Sequence, residues 1–110
     1  MSEQKIYDIA IVGGGAGGCS AAIYAKRAAM DTVVFEKSMM GGSIMNSNIV
    51  ENWLGIKSTT GAELAMLWAE HVDMYKPDVV NSRVLEVVPG ENYHTLKTED
   101  GGETRAHAVI

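Results

Sequence analysis

An α/β fold built on a parallel sheet is predicted for this chain by three features of its first third. A mostly apolar run, Ile6–Val12, leads directly into Gly13-Gly14-Gly15-Ala16-Gly17-Gly18. Residues 19–30 are rich in alanine, the residue with the best intrinsic helix propensity. A second apolar run, Thr32–Phe35, then ends on an acid, Glu36. A strand, a helix and a second strand joined at this length form a right-handed crossover with parallel strands.

The glycines fit the spacing Gly13-x-Gly15-x-x-Gly18, and each has a mechanical reason. Gly13 lets the chain turn sharply out of the strand, Gly15 lets a pyrophosphate approach the backbone, and Gly18 lets the helix lie close to the strand. The turn opens a helix, whose free N–H groups and positive dipole end favour phosphate, so the absence of Lys and Arg from the turn is no obstacle. Glu36 follows Gly18 by eighteen residues. A carboxylate there suits the two hydroxyls of a ribose and repels a 2′-phosphate, which points to a dinucleotide other than an NADP-type one.

The remaining elements follow in order. The helix is expected over about residues 15–29, with Lys26 and Arg27 near its C-terminal end, where cations suit the dipole. Residues 37–57 have little periodicity and carry Gly41-Gly42, Ser43, Asn46, Asn48 and three methionines, so they read as a long functional loop. Thr60-Gly61-Ala62-Glu63 is a capping-box sequence. Leu64, Leu67, Trp68, His71, Val72 and Tyr75 then mark one apolar helix face, on which His71 is expected to be partly buried. Pro77 ends that helix. Asp78–Val80 is expected as a third parallel strand. Residues 83–88, 93–98 and 103–106 alternate between turn signals and are expected as two linked antiparallel hairpins. Residues 107–110 turn apolar again, which suggests the N-terminal part of a longer protein.

Composition bounds the function. A hydrophobic content of 46% supports a folded core, and 110 residues are enough for about one small domain. The net charge of −5, with no basic run, argues against nucleic acid or an anionic membrane as partner. No apolar segment approaches the roughly 20 residues of a membrane span, and the polar start from Met1 to Lys5 lacks a signal-peptide core, so the chain reads as cytoplasmic. The single cysteine, Cys19, excludes an internal disulfide or a Cys-x-x-Cys pair and reads as a small residue packed against the sheet. His94 and His107 are too scattered to complete a metal site.

With the glycine turn, Glu36, Gly41-Gly42, Val50-Glu51-Asn52, Gly55, Thr60-Gly61 and Ala108-Val109-Ile110 in place, the chain resembles the thioredoxin reductase family of pyridine nucleotide-disulfide oxidoreductases over essentially its whole length. The resemblance implies a Rossmann-like FAD-binding three-layer fold of parallel sheet, helices and antiparallel β-meander, here truncated. Residues 1–110 would be the N-terminal part of that domain, with the NAD(P)-binding domain and the C-terminal FAD segment absent. It also implies roles by position. Gly13, Gly15, Ala16 and Gly18 would hold the pyrophosphate, and Glu36 and Lys37 the adenosine ribose. Gly42, Ser43 and Asn52 would face the ribityl chain or isoalloxazine, and Val84 would offer backbone atoms to the adenine. The parent would be a homodimer passing electrons through FAD to a thioredoxin-like disulfide substrate. The family usually has proline where Ala16 stands, glutamine where Ser43 stands, and an aromatic–proline pair where Trp53-Leu54 stands.

Three function classes compete. The first is the FAD-binding portion of a flavin disulfide oxidoreductase, in which the cofactor carries the chemistry and the isolated 110 residues are inactive. The second is an NAD-binding module of a dehydrogenase, which the segment from Gly13 to Glu36 fits equally well and the hairpins fit worse. The third is a non-catalytic fragment that self-associates through exposed sheet edges.

Overall fold

The structure, a computed structural model, describes residues 5–110; Met1 to Gln4, within the polar start read as lacking a signal peptide, lie outside the described residues. The elements are β1 (Ile6–Val12), α1 (Ala16–Arg27), β2 (Thr32–Phe35), a 3-10 turn (Gly42–Asn46), α2 (Gly61–Tyr75), β3 (Asp78–Val80), β4 (Val84–Val88), β5 (His94–Thr98) and β6 (Glu103–Val109). The strands form one sheet in the order β3-β2-β1-β6-β5-β4. Pairing is parallel from β3 to β6 and antiparallel from β6 to β4.

Strand alternation builds the three layers. Neighbouring side chains on a strand point to opposite faces. Ile9, Ile11 and Val34 meet Cys19, Ala22 and Ala25 of α1 and Val72 of α2 on one face. Ala10, Val33 and Phe35 meet Leu96 and Ala106 of the meander on the other. The buried residues of α1 are all small, which lets the helix lie close to the sheet. The most intimate contact is at its start. A Cβ added to Gly18 would stand 1.7 Å from the Gly13 carbonyl oxygen.

β6 differs from expectation. The third hairpin strand was expected to stop at residue 106, but it runs on to Val109 because its second half finds the free edge of β1. Glu103 to Ala106 pair with β5, while Arg105 to Val109 pair with β1 from Ile6 to Ala10. The apolar rise at residues 107–110 is therefore the continuation of one strand shared by the meander and the parallel sheet.

The segment expected to be structureless is also partly ordered. Gly41 N–H donates to the Gly14 carbonyl at 2.7 Å, and Gly61 N–H donates to that of Ser47 at 3.0 Å. These bonds hold the 3-10 turn between the glycine turn and α2. Isolated bridges join Val50 to Thr59 and Trp53 to Ile56. In α2 the buried residues are Gly61, Leu64, Ala65 and Val72, whereas Leu67 is 48% exposed and His71 is exposed. The inward face is thus rotated toward Ala65, because the helix must fit its small residue against Gly41, where an added Cβ would stand 2.4 Å from that of Ala65. His71 lies instead beside Tyr75, with ring centroids 6.1 Å apart.

Half of the capping box forms. Thr60 Oγ1 accepts from Glu63 N–H at 3.1 Å, while the Glu63 carboxylate accepts from the Thr59 hydroxyl at 3.0 Å rather than from the cap residue's backbone. Lys76 closes α2 in the left-handed region, φ 52°, immediately before Pro77.

Three outcomes follow for stability, each read by urea denaturation. Gly18→Ala forces a methyl group into backbone and should cost about 3 kcal/mol or abolish folding. Gly17→Ala, where an added Cβ meets nothing within 4 Å, should be neutral or stabilise by up to about 1 kcal/mol. Thr60→Ala should cost about 1 kcal/mol through loss of the cap.

Candidate functional site

The C-terminal ends of β1 and β2 and the N-terminus of α1 meet at one place. Gly13 leaves β1 with φ +104°, a conformation L side chains rarely adopt, and its N–H donates to the Phe35 carbonyl at 2.8 Å. Gly15 is the N-cap of α1, and a Cβ there would meet no atom of the chain within 4 Å. No side chain caps α1, and its first turn contains no acid. The N–H groups of that turn are therefore bound by no side chain of the helix's own cap or first turn.

Glu36, at the end of β2, is only 7% exposed. Its Oε1 accepts from Gly14 N–H at 2.8 Å. Its Oε2 accepts from Ser38 N–H at 2.9 Å and from the Ser38 hydroxyl at 3.2 Å. Burial pushes this carboxyl up, but the hydrogen bonds from Ser38 and Gly14, with the adjacent Lys37 charge, outweigh it and hold the group below the ordinary glutamate value. Glu36 is thus a carboxylate fastened to the middle of the glycine turn.

A crevice of about 250 Å³ opens beside it, lined by Gly13, Glu36, Lys37, Ser82, Arg83 and Val84, with Val12 and Phe35. The backbone at Arg83 is set by the β5–β6 turn, whose Glu99 N–H donates to the Arg83 carbonyl at 2.9 Å. Gly42, φ +68°, sits against the turn from the other side, where an added Cβ would lie 3.1 Å from Gly15 Cα. The fold therefore groups Gly13, Gly15, Glu36, Lys37, Gly42 and Val84 around the turn. Gly18 faces inward and seats the helix. Ala16 lines a groove of about 320 Å³ between α1 and α2, beside Trp53 and Trp68. Ser43 is exposed in the 3-10 turn, and Asn52 lies in the exposed loop among Glu51, Trp53 and Leu54; neither lines the crevice.

Three contributors escaped the sequence reading. Gly14 is one, since its N–H holds Glu36 and a Cβ there would press on the flexible Met40 Sδ at 2.6 Å and on Glu36 Oε1 at 3.2 Å. Ser38 had a faint signal, an N–H and a hydroxyl two residues after an acid, which is turn-forming geometry. Arg83 had none, because the fold alone returns it to the crevice.

The arrangement can bind an anion and a diol, but it offers no nucleophile. Burial pushes the Cys19 thiol up, the Gly41 N–H opposes this, and the Glu36 charge adds to the rise. The Cys19 Sγ–H donates to the Gly14 carbonyl at 3.3 Å. Among the described residues no cluster of His, Cys, Asp or Glu could hold a metal ion, and no helix is long and apolar enough to cross a membrane.

The family model for pyridine nucleotide-disulphide oxidoreductases matches residues 7–110. Thioredoxin reductase of Bacillus subtilis (strain 168) is 37% identical over 110 residues, covering 100% of this chain and 34% of the relative. The crystal structure of thioredoxin reductase from Streptococcus pyogenes MGAS5005 matches with a TM-score of 0.92 at 30% identity, over 98% of this chain and 35% of that one. A ferredoxin-flavin thioredoxin reductase from Clostridium acetobutylicum matches with a TM-score of 0.89 at 28% identity, over 97% of this chain and 37% of that one. The chain spans about a third of the length of these relatives. It belongs to the pyridine nucleotide-disulphide oxidoreductase family and corresponds within it to the N-terminal third of the thioredoxin reductases.

Proposed function

We propose that this chain is the N-terminal part of the FAD-binding domain of a thioredoxin-reductase-like flavin disulfide oxidoreductase, and that its crevice holds the ADP half of FAD. The observation that carries the reading is Glu36, an ionised carboxylate fastened to Gly14 beside a helix N-terminus that no side chain caps. The residues fit the group. Gly13 and Gly15 leave the backbone bare toward a diphosphate, and the first-turn N–H groups of α1 supply donors. Glu36 accepts from ribose hydroxyls, Lys37 and Arg83 add positive charge at the rim, and Val84 supports the adenine side. Gly42, Ser43 and Asn52 are assigned to the flavin side, with Ala16 and Gly18 completing the turn. When bound, FAD supplies the redox chemistry, and this segment contributes binding, orientation and electrostatics.

The NAD-module reading shares the glycine turn and Glu36. FAD is favoured by the packing of Gly42 against Gly15, by the meander covering the second sheet face, and by the flavin named for the Clostridium acetobutylicum relative. The reading carries with it an NAD(P)-binding domain and a C-terminal FAD segment in the parent. It also carries a homodimeric, cytoplasmic parent and a thioredoxin-like disulfide partner. Self-association of the 110 residues without catalysis is the competing outcome.

The parent, purified and examined by absorbance, should carry bound flavin, and calorimetry should rank FAD above NAD; a colourless, well-folded parent overturns the proposal. Glu36→Gln should weaken ADP binding roughly tenfold, the cost of losing charge-assisted bonds to the ribose. Because the folded carboxyl titrates below the ordinary value of 4.5, the stabilisation from its ionised form is complete above that value and is lost as pH falls through the lower folded one. Affinity for FAD, whose pyrophosphate does not titrate in this range, should accordingly stay level from neutrality to about pH 5 and decline only in stronger acid, as measured by calorimetry.

A further inference from the structure

We propose that Ser38 is the positioning residue that fixes the Glu36 carboxylate for a ribose diol, and that it thereby sets the discrimination between a 2′-hydroxyl and a 2′-phosphate. The inference rests on the ADP-binding reading above.

A glutamate has three rotatable side-chain bonds and loses rotamer entropy when fixed. Here both carboxylate oxygens are held, each from a different element. The β1–α1 turn grips Oε1 through Gly14 N–H at 2.8 Å. The residues after β2 grip Oε2 through the Ser38 N–H at 2.9 Å and hydroxyl at 3.2 Å. With both ends fastened the carboxylate plane cannot turn, and the cost of ordering it is met before any ligand arrives. The backbone N–H of Ser38 is present whatever residue stands there, so the hydroxyl is the part that sequence can vary. Ser38 is itself exposed, so its replacement leaves the core untouched.

The charged and titratable groups around Glu36 are few. Lys37 is its chain neighbour, Arg83 lines the same crevice, and the Cys19 thiol on α1 feels its charge. Neither cation forms one of the carboxylate's hydrogen bonds, so orientation falls to Gly14 and Ser38. A carboxylate held at the crevice accepts from a 2′-hydroxyl and repels a 2′-phosphate; one free to swing away does both less well.

The test uses the full chain as wild type, Ser38→Ala and Ser38→Thr, titrated calorimetrically with ADP and with 2′-phosphoadenosine 5′-diphosphate. Ser38→Ala should bind ADP roughly fivefold more weakly, reject the 2′-phosphorylated probe less strongly, and stay folded with a melting temperature only a few degrees below wild type, the small loss that a raised Glu36 midpoint entails. Ser38→Thr, which retains the hydroxyl, should restore both affinity and discrimination. Carbon-13 NMR of the ligand-free chain should place the Glu36 titration midpoint higher in Ser38→Ala. Wild-type affinity and discrimination in Ser38→Ala overturn the proposal and leave the ADP reading standing, as does an unmoved Glu36 midpoint. Failure of the wild type to bind ADP overturns both.

Discussion

The fold turns on one close approach. Helix α1 can begin against the strand that precedes it only because no side chain stands between Gly18 and the Gly13 carbonyl. Interiors packed to crystal-like density leave no slack for even one methyl group. The same absence of side chains that seats the helix also bares the amides of the turn. Structural necessity and ligand recognition are thus met by one short run of glycines, and stability cannot be traded against binding there without moving the helix.

Around that contact the chain arranges two supports. On one side the Gly41-Gly42 pair docks onto Gly14 and Gly15 and is held in turn by the start of α2. On the other, β4 and the β5–β6 turn bring Ser82, Arg83 and Val84 over the end of β2. The crevice therefore has walls from both the helical layer and the meander. A lone strand–helix–strand unit would present the glycine turn and the acid without either wall.

Much of this was legible in the sequence, and what was not has a common cause. The limits of β1, β2 and β3 could be read because each is an apolar run bounded by glycine, proline or charge. The turn and its acid were legible from spacing taken together with the strand before, the helix after and the second strand that ends on the acid. The inward face of α2 was legible at Leu64, Trp68, Val72 and Tyr75 but not at Leu67 and His71, because a helical wheel cannot know that Gly41 requires a small neighbour at Ala65. The length of β6 and the arrival of Arg83 depend on pairings across most of the chain, which local pattern does not encode. Ser38 lay between these cases, visible as a turn former but not as a brace.

Strand β6 has a temporal consequence. It pairs with β1, so one edge of β1 is completed only by a strand about a hundred residues further along the chain. On a ribosome β1 emerges early and waits, with one edge unpaired, until synthesis reaches Val109. Contacts this distant along the chain close slowly, and an apolar edge left open in the meantime is a template for the wrong partner. The shelter that the nascent chain finds during that interval bears on its yield as directly as any contact in the finished domain.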